Sequence, residues 1–208
     1  LSLFKLLQVS LKSSIFKTEC LAYLAKLSNS FSEEIYTAIE YLALELKETW
    51  LSGNQVFICG NGGSAANAIH IANDLIYGVG ACGLGEKIPG IKVEALSSNS
   101  GVLTCIANDT GYENIYSYQL DVKANPNDLL IVLSGSGNSA NIVKALLKAK
   151  EKKLKSFAIV GFDGGKCLNE ADKVIHFKVN DMQLSEDLQL IVAHICMQWL
   201  SRHKINNI

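Results

Sequence analysis

Only two prolines interrupt the 208 residues, Pro89 and Pro126, and both fall in segments that read as loops. No run of about eighteen residues is both apolar and uncharged, so no helical membrane span is expected. The opening Leu-Ser-Leu-Phe-Lys carries neither the charged nor the apolar block of a signal peptide. Dense Lys/Arg clusters are missing and the net charge is −1, which leaves no electrostatic footprint for nucleic acid or an anionic membrane. The six cysteines, Cys20, Cys59, Cys82, Cys105, Cys167 and Cys196, include no Cys-x-x-Cys pair, and several sit in apolar runs. That pattern points to buried reduced thiols in a reducing compartment rather than a disulfide framework, so a cytoplasmic location is expected. Internal repeats, low-complexity tracts and linkers are also absent.

What remains is an ordinary globular composition, 49% hydrophobic and 19% charged, long enough for one sizeable core. The first fifty residues read as helix. One helix covers roughly 3–27, and Ser30 with Glu33 resembles a capping box before a second that carries Ile35, Ile39, Leu42, Leu46 and Trp50. From residue 55 the period changes. Apolar runs at 55–59, 91–96, 128–133, 156–160 and 173–177 alternate with helical stretches at 65–76 and 140–152 and a final helix over about 185–203. Continuous apolar strands alternating with helices predict a largely parallel sheet covered on both faces.

Two loops carry the chemistry. Gly60-Asn61-Gly62-Gly63-Ser64 follows one strand and opens a helix. Its glycines let backbone N–H groups approach an anion, and the helix N-terminus favours negative charge there. Gly60-x-Gly62-x-x-Ala65 also fits a relaxed dinucleotide fingerprint, but no acidic ribose partner ends a second strand. The second loop, Ser134-Gly135-Ser136-Gly137-Asn138-Ser139, sits at another strand–helix junction and offers three serines in six residues. A dinucleotide does not need such a cradle; a phosphorylated small molecule does.

Among titratable groups, His70 and Asp74 are four apart on one helix face. Glu186 and His194 share the last helix, but eight residues separate them by about 12 Å of rise, so convergence on one ion requires a distorted helix start. Asn108-Asp109 precedes a Thr110-Gly111 turn that can aim polar groups at a ligand.

Gly60-Asn61-Gly62-Gly63-Ser64-Ala65-Ala66, His70-Ile71-Ala72, Ala107-Asn108-Asp109-Thr110-Gly111-Tyr112 and Ser134-Gly135-Ser136-Gly137-Asn138-Ser139 together resemble the phosphoheptose isomerases of the sugar isomerase (SIS) superfamily. The resemblance covers nearly the whole chain. It implies an α/β, flavodoxin-like three-layer sandwich with a mainly parallel five-stranded sheet. A helical extension over 1–52 would pack in the oligomer ahead of a SIS domain at 53–208. It further implies a homotetramer with active sites at subunit junctions, one Zn2+ per subunit, and conversion of sedoheptulose 7-phosphate to D-glycero-D-manno-heptose 7-phosphate for surface glycans. By position, Asn61, Gly62, Gly63, Ser64, Asp74, Asn108, Asp109, Ser134, Gly135, Ser136, Ser139 and Glu186 would bind substrate. His70, Asp74, Glu186 and His194 would hold the metal, with Asp74 and His194 catalytic. Three positions depart from the family: Asp74 stands for glutamate, Glu186 for glutamine and Gly135 for Ser or Thr. They leave open an isomerase of another sugar phosphate. A non-catalytic SIS module that binds sugar phosphate or a protein partner is the alternative of a different class.

Overall fold

A computed structural model describes residues 3–83 and 85–204. The chain divides after Ser32 into two compact units. The first is helix α1 (Leu3–Asn29) with its turn. Its Ile15, Phe16, Leu21 and Leu24 are exposed. The expected capping role of Ser30 is not fulfilled. Helix α2 begins only at Glu33, which puts Ser30 too far ahead of it, and the Ser30 hydroxyl donates back to the Lys26 carbonyl at 2.8 Å.

The second unit holds the remaining elements in strict order. Helix α2 (Glu33–Ser52) leads into β1 (Val56–Gly60) and α3 (Gly63–Asn73), which continues as a π-helical turn (Asp74–Gly78) and α4 (Val79–Ala81). Then come β2 (Val93–Ala95), α5 (Ser100–Thr110), a 3-10 turn (Tyr112–Asn114) and α6 (Ser117–Lys123). The rest is β3 (Leu129–Ser134), α7 (Ala140–Glu151), β4 (Lys155–Val160), α8 (Cys167–Glu170), β5 (Lys173–His176) and α9 (Met182–Arg202). All five strands pair in parallel, in the order β2-β1-β3-β4-β5. This is the doubly wound flavodoxin-like order, whose connections reverse direction between β1 and β3.

Side-chain alternation along each strand feeds two cores. Phe57, Cys59, Leu130, Val132, Ala158 and Val160 pack with Ile106, Tyr116, Leu120, Ile142, Leu146 and Cys167 from α5 to α8. The intervening Ile58, Ile131 and Ile159 are also buried. They face the opposite layer, in which α9 packs against both α2 and α3. Asp128 ties the lower end of the sheet together. Its two carboxylate oxygens accept the backbone N–H groups of Gln55 and Asn125, each at 2.8 Å.

The six cysteines are free, and they split evenly: Cys59, Cys167 and Cys196 are buried, while Cys20, Cys82 and Cys105 are exposed. Burial is therefore the rule for only half of them, since runs such as 57–59 lie in strands whereas Cys82 and Cys105 fall on outward turns and helix faces. Desolvation pushes the Cys59 thiol far above its ordinary value, Cys167 up to about 11 and Cys196 up to about 12. At pH 8 a thiol-alkylating reagent should therefore leave Cys59, Cys167 and Cys196 unmodified in the native protein. Peptide mass spectrometry should find all six modified once denaturant is added.

Candidate active site

The first loop leaves β1 and the second leaves β3, adjacent strands whose register sets Gly60 beside Leu133. Both loops consequently open at the same carboxyl edge, at the switch point where open α/β sheets bind ligands. Asn61, Gly62, Gly63, Ser64, Ser134, Gly135, Ser136 and Ser139 line one cleft of about 310 Å³, closed on its far side by Met182 and Glu186 of α9.

The local hydrogen bonding leaves this cleft rich in donors. Ser134 Oγ accepts the Gly137 N–H at 3.1 Å, and Ser136 Oγ accepts the Asn138 N–H at 3.3 Å. Each hydroxyl oxygen is thus engaged as an acceptor, while its own proton is left to donate. Ser139 stands at the N-cap of α7 yet makes no capping bond. The N-termini of α3 and α7 meet at the cleft and add their partial positive charge. Among the described residues no lysine or arginine lines it, and Glu186 is the one formal charge there. A third loop braces the second from behind. Gly161 N–H donates to Gly135 O at 2.9 Å, Cys167 N–H to Gly137 O at 3.0 Å, and Lys166 N–H to Asn138 Oδ1 at 3.1 Å.

A second group forms along the same two helices. His70 of α3, Asp74 at the start of the π-helical turn and His194 of α9 bring three ligand atoms together. His70 Nε2 and His194 Nε2 are 3.0 Å apart, and Asp74 Oδ2 lies 3.6 Å and 3.4 Å from them. The circle through these three atoms has a radius of about 1.9 Å, just inside the 2.0–2.2 Å reach of nitrogen and carboxylate ligands to a first-row divalent ion. The donor set and spacing fit such an ion. The His70 and His194 side chains are 50% and 43% exposed, which keeps a coordination position open to a small molecule. The π-helical turn frees the Leu75 carbonyl, which accepts the Ile91 N–H at 2.9 Å. This pins Ile91, just ahead of β2, beside the turn that carries Asp74, and single π turns recur at functional sites.

The residues singled out in the sequence thus separate into two places. Glu186 lies in the cleft, packed on Gly63 so closely that a Cβ there would come within 2.5 Å of both its carboxylate oxygens. The helix around it is regular from its Asp181 cap onward, so the rise between Glu186 and His194 is not relieved by distortion. Asn108 and Asp109 end α5 in solvent and bond to each other, Asn108 Nδ2 donating to Asp109 Oδ1 at 2.7 Å. Three residues that the sequence pattern does not single out contribute contacts. Met182 fills the space above Gly135, where a Cβ would meet its sulfur at 2.5 Å. Tyr112 donates to Asn61 Oδ1 at 3.1 Å, and Asn141 pairs with the same amide at 2.8 Å. Of these only Tyr112 carried a signal, as the last residue of the Asn-Asp-Thr-Gly-Tyr run.

An open α/β sheet with neutral anion donors at its switch point belongs to the class that holds phosphorylated small molecules. Residues 19–161 match the SIS domain family. A phosphoheptose isomerase of Helicobacter pylori is 34% identical over 190 residues, covering 91% of this chain and 96% of that protein. One from Aneurinibacillus thermoaerophilus is 35% identical over 163 residues, 78% of this chain and 80% of that protein. The solved phosphoheptose isomerase of Neisseria gonorrhoeae has the same fold, with a TM-score of 0.77 at 24% identity, covering 89% of this chain and 98% of that one. The chain belongs to the SIS domain family, among its phosphoheptose isomerases.

The Gly135–Met182 contact yields a test. Adding a side chain in Gly135→Ser only has to swing aside the end of the flexible, 40% exposed Met182 side chain, so it should cost less than about 1 kcal/mol. Met182→Ala opens that space in advance, so in the double variant the added cost of Gly135→Ser should vanish, read by denaturant unfolding of both single variants and the double.

Proposed function

We propose that this protein is an aldose–ketose isomerase that converts sedoheptulose 7-phosphate to D-glycero-D-manno-heptose 7-phosphate, supplying activated heptose for surface glycans. The observation that carries the reading is the pairing of an anion cleft with a carboxylate–imidazole cluster along the same two helices. Glu186 at the cleft and His194 at the cluster are eight residues apart on α9, about 12 Å of rise. That span is on the scale of an extended seven-carbon sugar phosphate.

In this reading Ser64, Ser134, Ser136 and Ser139, with the backbone of Gly62, Gly63 and Gly135, hold the phosphate. Asn61 lines the same cleft, while Asn108 and Asp109 engage sugar hydroxyls. Substrate anchored by its phosphate presents C1 and C2 to the cluster, and remote binding energy is spent on alignment. The Asp74 carboxylate takes the C1 proton, giving a cis-enediol(ate); the O1 proton passes to O2 as the carbonyl moves to C1, and His194 supplies the proton at C2. His70, Asp74 and His194 would hold a zinc ion, while Glu186, about 12 Å of helix rise away from His194, stands outside that group and would meet the substrate in the cleft. Zinc supplies redox-inert polarisation of the carbonyl oxygen and stabilisation of the enediolate charge. Exposed Ile69, Ile76 and Tyr77 beside the cluster, and Ile15, Phe16, Leu21 and Leu24 on α1, support a homotetramer that covers these apolar surfaces. Residues 1–52 would be the helical layer through which copies pack, ahead of the SIS domain at 53–208. No described helix is long and apolar enough to cross a membrane. The free cysteines fit a reducing cytoplasm.

Asp74→Asn should lower turnover of sedoheptulose 7-phosphate by about 10²–10⁴-fold with the unfolding midpoint unchanged; turnover close to that of the parent would remove Asp74 from the chemistry. Rigorous chelation should abolish turnover and added zinc restore it. Tight binding of the sugar phosphate without any conversion, in the metal-replete protein, would instead mark a binding module.

A further inference from the structure

The two cleft loops are joined by one buried amide. Asn141, the second residue of α7, is 1% exposed. It pairs with Asn61, 80 residues earlier, through two reciprocal hydrogen bonds: Asn61 Nδ2 donates to Asn141 Oδ1 and Asn141 Nδ2 donates to Asn61 Oδ1, each at 2.8 Å. Asn141 Oδ1 also accepts the Ile142 N–H at 3.0 Å, which fixes which way its amide points. On the other side, Asn61 Oδ1 accepts a second bond from the Tyr112 hydroxyl at 3.1 Å. The buried Tyr116 hydroxyl donates to the neighbouring Gly60 carbonyl. Asn61 is therefore held from three directions and keeps a single side-chain N–H for a ligand.

We propose that Asn141 is a positioning residue that clasps the loop after β1 to the loop after β3, so that a phosphate meets the two as one preformed cradle. The proposal rests on the reading of this cleft as the phosphate site. Asn141 lines neither the cleft nor the His–Asp–His cluster, so it acts through Asn61. Four neutral serine hydroxyls bind an anion well only if they are already in place, because loops ordered at the moment of binding subtract their entropy from the affinity. Two separate loops, each free to drift, would lose that advantage even with every serine retained.

The test uses the whole chain and four variants: Asn141→Leu, Asn141→Asp, Asn61→Ala, and Asn141→Leu combined with Asn61→Ala. Asn141→Leu removes both bonds while filling a similar volume. It should raise KM for sedoheptulose 7-phosphate about tenfold with kcat within about twofold, the split expected when ground-state and transition-state binding are lost together. Calorimetric titration with inorganic phosphate should show the same loss of affinity. Asn141→Asp keeps one acceptor and loses the donor, so it should fall between the two. In the double variant KM should equal that of Asn61→Ala alone, because Asn141 works through that partner. Unchanged KM and phosphate affinity in a folded Asn141→Leu overturns the proposal, as does additivity in the double variant. Should Asn141→Leu fail to fold, an Asn141→Asp protein with parental phosphate affinity overturns it equally. Should the parent protein bind phosphate but not isomerise the heptulose phosphate, weakened phosphate binding by the variants upholds the clasp while the functional reading falls.

Discussion

The parallel pairing of β1 with β3 is the constraint on which the site depends. Five consecutive register pairs, from Val56–Leu129 to Gly60–Leu133, fix the two strands at one level. A slip of one residue would turn Phe57, Cys59, Leu130 and Val132 out of their core, so the hydrophobic effect enforces the register at a cost of several kcal/mol. Function inherits that precision without spending anything further on it. Asn61, which follows β1, and Ser134, which ends β3, must emerge side by side, and the reciprocal amide bonds of Asn141 need only close the last gap.

In the proposed reading the cleft would hold its anion without a lining cation, and the balance of terms shows how this can work. A phosphate monoester carries a charge of about −1.5 to −2, so near Glu186 it would meet like-charge repulsion of roughly 4–8 kcal/mol at 4–6 Å and an effective dielectric of 20. Each hydroxyl donating to a charged oxygen returns about 1.5–3 kcal/mol, and each helix N-terminus about 0.3–1 kcal/mol. Four serines and two helix ends therefore outweigh one carboxylate. The same arithmetic makes Glu186 a selector. It adds nothing for phosphate but accepts hydrogen bonds from hydroxyls, so the negative charge disfavours a second anionic group on the ligand far more than it disfavours a neutral sugar.

Much of this was legible in the sequence because it follows from periodicity and punctuation. The five apolar runs became the five strands within about two residues, since buried parallel strands read as continuous hydrophobic segments. Both loops were legible because Gly and Ser at a strand–helix junction have a local physical meaning. The separation of Glu186 from His194 followed from helix rise alone. Other features had no local signal. The π-helical turn at Asp74 depends on a one-residue excess that hydrophobic spacing over 65–76 does not betray. Helices α5 and α6 mix polar and apolar residues too evenly to stand out as periodic. Ser30 was misleading because a capping pattern fixes a helix start only if the backbone departs from helix there, and α2 begins later. Asn141, Tyr112 and Met182 act across 80, 51 and 47 residues of sequence, distances over which no one-dimensional pattern carries information.

Rigid helices turn the two-part site into a ruler. Cleft and cluster both lie on α3 and α9, which are tied between the two places by Asn67 Nδ2, donating to Gln189 Oε1 at 3.0 Å and to the Glu186 carbonyl at 2.9 Å. The first of these bonds is buried and the second partly so, and sliding either helix would leave polar groups unpaired, at about 1–3 kcal/mol each. A ligand gripped by its phosphate must then reach a cluster whose distance is set by the fold and not by the ligand. A sugar phosphate too short for that span keeps the anionic contacts and loses alignment at the reacting carbons. Its penalty falls on turnover more than on binding, because binding energy at one end of a substrate accelerates chemistry only when the other end is held in place. In the proposed reading, chain length of the sugar, more than the identity of any single hydroxyl, is the property this architecture would measure.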